Sequence, residues 1–128
     1  MEMEIVFPGG ARVDALNGGM VISTNQDGTA PAPFGLFLAS IGTCAGIYVL
    51  SFCQQRGIPT DNIRIVQRMG VNPLTRMISD VELDIQVPPE FPEKYKDAVI
   101  RAADQCAVKK HLENPPKFNV HTSVVEVA

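Results

Sequence analysis

Cysteine is scarce in this 128-residue chain: only Cys44, Cys53 and Cys106 are present. Three thiols, unevenly placed, are too few for the disulfide framework of a small secreted domain, so they read as structural thiols, metal ligands, or redox and nucleophilic groups of a reducing compartment. Long runs of one charge are lacking as well. Lys and Arg nowhere cluster, and a net charge of -3 with a pI near 5.3 gives no electrostatic reason to expect a nucleic-acid partner. The opening MEMEIVF has neither a basic n-region nor an apolar h-region, so a cytoplasmic protein is expected. His111 and His121 stand at no metal-ligand spacing from any cysteine, and no metal or other cofactor is expected. The glycine pairs Gly9-Gly10 and Gly18-Gly19 are turn residues with nothing of a phosphate loop about them. Internal repeats, low-complexity tracts and linkers are also lacking, and the length suits one domain over residues 1–128.

What the chain does have is one long uncharged stretch. From Phe34 to Cys53 there is no formal charge, and such a segment must be buried all round, in lipid or in a protein core. Gly35, Ser40, Gly42, Thr43, Gly46, Tyr48 and Ser51 within it, and the lack of basic flanks, favour a core helix over a membrane span. At 3.6 residues per turn, Gly35, Ala39, Gly42, Gly46 and Cys53 form a seam of small residues. Cys44 lies on the opposite face, with Phe37, Ser40, Ile41, Ile47, Tyr48 and Ser51. The expectation is a central helix that packs by its seam and presents a thiol to a half-apolar, half-hydroxylated surface.

The remaining elements follow from period and punctuation. Met1 to Phe7 alternates as a strand does, and Ala11–Leu16 and Gly19–Ser23 bracket Asn17-Gly18, a type I′ turn signal. Thr24 to Pro33 is loop. After the helix ends at Gln54, Gln55, Arg56 and Gly57, residues 62–71 and 76–87 should pair as a long antiparallel hairpin. Val81, Leu83, Ile85 and Val87 form its buried face. Pro92 should open a second helix through Tyr95, Ala98, Val99 and Ala102, a natural partner for the glycine seam, although a symmetry mate of the first helix would serve equally. Asp104 is the expected N-cap of a short helix, Gln105 to Leu112, with Cys106 in its first turn, and Phe118 to Val127 should close the chain as a strand. The class is α+β, a mainly antiparallel sheet covered by two helices.

For chemistry, the notable pair is Cys44 and Cys106. Cys106, near a helix start, stands where amide donors favour a thiolate, but the residues alone leave open a redox or nucleophilic pair and two structural thiols. Cys53, on a different face from Cys44, reads as core packing. Lys109 and Lys110 read as a solvated helix end.

The segment APAPFGLFLASIGTCAGIYVLSFCQQRGIP, followed by DQCAVKKHLENPP, resembles the OsmC/Ohr family of osmotically induced and organic hydroperoxide resistance proteins. The resemblance spans nearly the whole chain. It implies an intertwined homodimer with two long helices at its centre and active sites near the subunit interface. It also implies thiol peroxidase chemistry: Cys44 matches the peroxidatic cysteine and Cys106 the resolving one. The implied partners are an organic hydroperoxide substrate and a small or protein dithiol reductant, with Phe37, Ser40, Ile41 and Tyr48 around the thiol as the substrate pocket. Arg12, after Gly9-Gly10, is the nearest match to the family's catalytic arginine. The family's glutamate, ten residues before the first cysteine, is replaced by Phe34, and Gly35 beside it supplies no carboxylate. The alternative in a different class is a family-fold protein that binds a small apolar or electrophilic ligand without peroxidase activity.

Overall fold

A computed structural model describes residues 1–126 of the chain. Its order is β1 (Glu4–Gly9), β2 (Arg12–Asn17), β3 (Met20–Asn25), α1 (Pro33–Gln55), β4 (Arg64–Val71), β5 (Ile78–Gln86), α2 (Lys96–Ala103) and α3 (Ala107–Glu113). The α+β class with antiparallel pairing is as expected, but the strands form two sheets rather than one. β1, β2 and β3 make an antiparallel meander, and β4 pairs with β5. In the first hairpin the two residues of left-handed conformation are Gly18 (φ 52°) and Gly19 (φ 86°), while Asn17 pairs with Met20 as the last strand residue. The expected Asn17-Gly18 turn is therefore shifted by one residue: Gly18 and Gly19 both adopt the positive φ of a type I′ turn without a Cβ penalty, which leaves Asn17 in the ladder.

The loop into α1 is stapled by its own side chains. Asn25 Oδ1 accepts the N–H of Asp27 at 3.0 Å, and Asp27 Oδ1 accepts both the N–H and the hydroxyl of Thr29 at 2.9 and 2.6 Å. Pro33 occupies the first helical turn, where its missing N–H costs nothing. The helix then buries Ile41, Ala45, Val49, Phe52 and Cys53. Four of these, Ala45, Val49, Phe52 and Cys53, meet Phe91, Val99, Ala103 and Cys106 in the core, and Leu83, Ile85 and Val87 of the second hairpin pack against it. By length and composition α1 could cross a membrane; here it is the central element of that core.

The glycine seam finds a different neighbour from the one expected. A Cβ built on Gly42 would collide with the Gln67 amide of β4, and one on Gly46 would touch Ile65 at 3.9 Å. Gln67 Nε2 reaches across to donate to the Leu38 carbonyl at 2.9 Å. At Gly42 and Gly46 the seam thus admits β4, while Ala45, Val49, Phe52 and Cys53 share the core with Val99 and Ala103 of α2.

Nor is the second helix long. Pro88 and Pro92 bracket a tight stretch, a single 3-10 turn occupies Glu93–Tyr95, and α2 proper has eight residues. Pro92 stands just before that turn instead of inside a helix, with extended ψ of 123°. The junction between α1 and this segment is braced by aromatic contacts. Phe52 meets the Tyr95 ring edge-on at 5.7 Å, and the Arg56 guanidinium lies 3.7 Å from the Phe52 centroid.

The expected closing strand is not formed among the described residues: Phe118–Glu126 has no regular pairing, and Val127 lies outside them. Alternation of Val120, Thr122 and Val124 equips the segment for a sheet, but a strand exists only where an edge receives it. Phe118, Val120 and Val124 are accordingly exposed.

Candidate functional site

The site is assembled where α3 meets the middle of α1. The residues between α2 and α3 turn the chain sharply. Asp104, expected to cap α3, instead closes α2, its N–H bonded to the Ile100 carbonyl at 3.0 Å. The N-cap of α3 is Cys106 itself, whose sulfur accepts the Lys109 N–H at 3.4 Å. Cys106 is buried, and its thiol points at the Ile41 carbonyl of α1, 3.9 Å away. Ile41 lies one helical turn before Cys44, so the two cysteines, remote in sequence, are brought to the same place. Both are free thiols.

Their environments pull them apart. Cys44 is held below the ordinary thiol range chiefly by the Val108 N–H, which outweighs the opposing effect of burial, with smaller help from the Cys106 thiol and the Ala107 N–H. Cys106 is pushed up, first by burial and also by the negative charge that Cys44 develops, with the Lys109 N–H opposing. The α3 amides do act on Cys106 in the expected direction, but burial outweighs them, so Cys106 stays a protonated, buried thiol while the same turn favours the Cys44 thiolate. Cys53 is fully buried and pushed up by that burial, as a core thiol should be.

Two apolar cavities adjoin the pair. One, of about 390 Å³, is lined by Ile41, Leu83, Ile85, Ile100 and Cys106, with Asp104 and Lys109 at its edge. Their 2.7 Å ion pair spans that edge. The second, of about 700 Å³, is lined by Phe34, Phe37, Leu38, Met77 and Asp80, and shares Ile41, Val81 and Leu112 with the first. Of the four expected pocket residues, Phe37 and Ile41 line these cavities. Ser40 and Tyr48 line neither, and the Ser40 hydroxyl donates to the Phe37 carbonyl at 2.6 Å. The cavity walls on β5 and α2 were not singled out from the sequence, although the buried alternation of β5 already marked Leu83 and Ile85.

Arg12 lies elsewhere, on β2 in the first sheet. Its guanidinium grips Asp14 through two bonds, Nε to Oδ1 at 3.0 Å and Nη2 to Oδ2 at 2.8 Å, and reaches Ser23 Oγ at 3.4 Å. Asp14 is buried and held below the usual carboxylate range by the hydrogen bond from Arg12, and Arg12 is raised in turn. Within one chain this pair makes no contact with Cys44 among the described residues. Asp14 is the partner that sequence reading overlooked. It stands two residues on from Arg12, hence on the same face of the strand, and that spacing was the available signal. Among the described residues, no group of three or more His, Cys, Asp or Glu side chains could hold a metal ion.

The family model described as OsmC-like protein matches residues 26–121. No curated protein sequence matches the chain. Among solved structures, the fold is similar to that of a hypothetical protein from Aquifex aeolicus VF5 (TM-score 0.71, 17% identity, covering 89% of this chain and 87% of that one). It is similar also to an OsmC like protein from Mycoplasma pneumoniae (TM-score 0.64, 11% identity, 89% and 87% covered). A third is the organic hydroperoxide resistance protein OhrB of Bacillus subtilis (TM-score 0.51, 15% identity, 89% and 93% covered).

Proposed function

The chain belongs to the OsmC-like family, and from that premise we propose that it reduces organic hydroperoxides through a Cys44–Cys106 dithiol couple. The observation that carries this reading is the meeting of two free thiols at the start of α3, where Cys106 caps the helix with its sulfur 3.9 Å from the Ile41 carbonyl, one turn from Cys44. The α3 amides lower Cys44, and burial raises Cys106. One sulfur is prepared to attack, the other to wait.

The Cys44 thiolate attacks the distal oxygen of the hydroperoxide. An S–O bond forms, the O–O bond breaks, and the alkoxide takes up a proton to leave as an alcohol. Cys44 is then a sulfenic acid. The Cys106 sulfur attacks it, the S–S bond forms and the S–O bond breaks, and the hydroxide leaves as water with the Cys106 proton. An external dithiol reduces the disulfide by two exchange steps and departs as its own disulfide. The apolar lining formed by Phe37, Ile41 and Leu112 suits an alkyl chain better than hydrogen peroxide.

Arg12 enters the reading as the cation that steadies the thiolate. Its carboxylate partner is Asp14, because Phe34 and Gly35 leave α1 without one. In a single chain the first sheet stands off from α1, so Arg12 reaches a Cys44 only in a homodimer, which we take to be the working state, in the cytoplasm. Exposure of Phe7, Ile47 and Leu50 on the sheet and on α1 is in keeping with such an interface.

A second reading draws on the cavities. Cys44 lines neither of them, and a chain without the helix glutamate could bind a small apolar or electrophilic ligand there with no turnover. Thiol counting separates the two. One equivalent of cumene hydroperoxide should consume two thiols rapidly in the wild type and none in Cys44→Ser. Unchanged thiols, with dithiol-driven turnover no faster than a protein-free control, would sink the peroxidase reading.

A further inference from the structure

The start of α3 carries an additional property. Helix N-caps are ordinarily Ser, Thr, Asp or Asn, whose oxygen takes one of the free N–H groups of the first turn. In α3 that acceptor is the Cys106 sulfur, bonded to the Lys109 N–H at 3.4 Å with Cys106 in an extended conformation (φ -50°, ψ 122°). The Cys44 sulfur lies beside the same turn, one helical turn along α1 from the Ile41 carbonyl that the Cys106 thiol meets at 3.9 Å. The side chain that caps α3 is therefore one of the two sulfurs that would be joined on oxidation.

The helix has little else to rely on. Seven residues are too few to hold a helix in isolation, and none of those in α3 is buried. Its remaining ties are the Asp104–Lys109 ion pair at 2.7 Å, the packing of Val108 on the core, and Leu112 at the wall shared by the two cavities.

We propose that joining Cys44 to Cys106 uncaps α3, so that oxidation loosens the helix and opens the cavity wall formed by Lys109 and Leu112. The proposal rests on the dithiol reading above and assigns it a conformational consequence. In the disulfide the second valence of the Cys106 sulfur is directed at Cys44, so that sulfur leaves its place opposite the Lys109 N–H. The opening matters because Cys106 is only 1% exposed in the reduced protein, while Cys44 is half-buried. A loosened α3 widens the path by which a dithiol reaches the disulfide. Reduction restores the acceptor and closes the wall.

Hydrogen exchange read by mass spectrometry tests this in the full chain. The disulfide is formed in one sample with cumene hydroperoxide and in another with diamide, which takes two electrons and two protons from the thiol pair, and the Cys44–Cys106 link is verified by peptide mapping. Amides of Lys109 to Asn114 should exchange roughly five- to tenfold faster in the disulfide form than in the reduced form, the range expected for loss of a cap, with β4–β5 amides unchanged. Cys106→Ser keeps an oxygen acceptor and cannot form the link, so its α3 should stay protected with or without oxidant. Cys106→Ala should show a loosened α3 already under reducing conditions. A verified disulfide with unchanged α3 exchange would overturn the proposal and leave peroxidase chemistry standing. Failure of diamide to form the link would overturn it too. A link formed by diamide and not by hydroperoxide would refute the peroxidase reading alone, with the exchange rates still deciding the uncapping.

Discussion

Replacing Phe52 tests how α1 is held to the segment that leads to Cys106. Phe52 is buried among Val99 and the other core residues, meets the Tyr95 ring edge-on at 5.7 Å with an interplanar angle of 86°, and supports the Arg56 guanidinium at 3.7 Å. Truncation to Ala removes the buried ring and leaves a cavity, which costs about 3–5 kcal/mol. Phe52→Leu keeps most of the apolar volume and loses the ring geometry. The aromatic pair is worth about 0.5–1.5 kcal/mol beyond burial and an exposed cation–π contact about 0.5–1 kcal/mol, so this variant should fall by roughly 1–2.5 kcal/mol. Urea unfolding at fixed protein concentration reads both. With m of about 2 kcal/mol/M, Phe52→Ala should lower the midpoint by roughly 2 M and Phe52→Leu by about 0.5–1.25 M. A double-mutant cycle with Tyr95→Leu isolates the ring pair, with an expected coupling of about 0.5–1.5 kcal/mol. A coupling indistinguishable from zero, or Phe52→Leu as damaging as Phe52→Ala, would show that the ring contacts do not brace this junction.

Further expectations concern charge and the glycine seam. Cys44 should be alkylated by iodoacetamide faster than Cys53 or Cys106 in the native protein, with a pH midpoint below that of a free thiol; a midpoint at or above it would contradict the role of the α3 amides. The Cys53 thiol is raised by burial, so its contribution to stability is present below the ordinary thiol pKa of about 8.5 and is lost as pH rises toward its higher folded value. Unfolding of Cys53→Ala should accordingly show a smaller alkaline loss of stability than wild type. Asp14 is depressed by Arg12, so its contribution is present above the usual carboxylate range and lost as pH falls through its lower folded value. Asp14→Asn should flatten the acid limb of the stability profile, and an unaltered limb would mean that the ion pair is inert. Gly42→Ala gains about 1 kcal/mol of helix propensity and loses a comparable hydrogen bond when Gln67 gives way, leaving the net change near zero. In a Gln67→Ala background the same change should stabilise by about 1 kcal/mol; no difference between backgrounds would place the seam against something other than β4.

The sequence disclosed those features whose causes are local. The uncharged run from Phe34 to Cys53 does form the long helix α1, but it is buried on one face only, through Ile41, Ala45, Val49, Phe52 and Cys53, while Phe34, Phe37, Ile47 and Leu50 stay exposed in the single chain. The alternating run forms β5 of the long hairpin, with Leu83 and Ile85 packed on the core and Val81 exposed. Where the cause is tertiary, local signals misled. Asp104 is a better cap by propensity than Cys106, yet the chain closes α2 on Asp104 and starts α3 at the cysteine, whose sulfur is pinned against Ile41. The small-residue seam specifies close approach without naming the neighbour, and β4 takes the place foreseen for a helix. At the site, both thiols were identified from the sequence, whereas the different pull on each follows from the burial of Cys106 and from the α3 amides beside Cys44, both of which arise only when α3 meets α1.

The position of α1 also sets a schedule for synthesis. Its core partners on α2 leave the ribosome roughly fifty residues after α1 ends, and at about 5–20 residues per second that delay is several seconds. Throughout that interval a helix as apolar as a membrane span is present without the residues that will cover it. The nascent chain thus exposes an apolar segment whose inner face alone, Ala45, Val49, Phe52 and Cys53, the finished core covers. Substitutions in α2 that weaken the core should therefore lower the yield of soluble protein in the cell by more than their effect on equilibrium stability, because they lengthen the time that α1 waits.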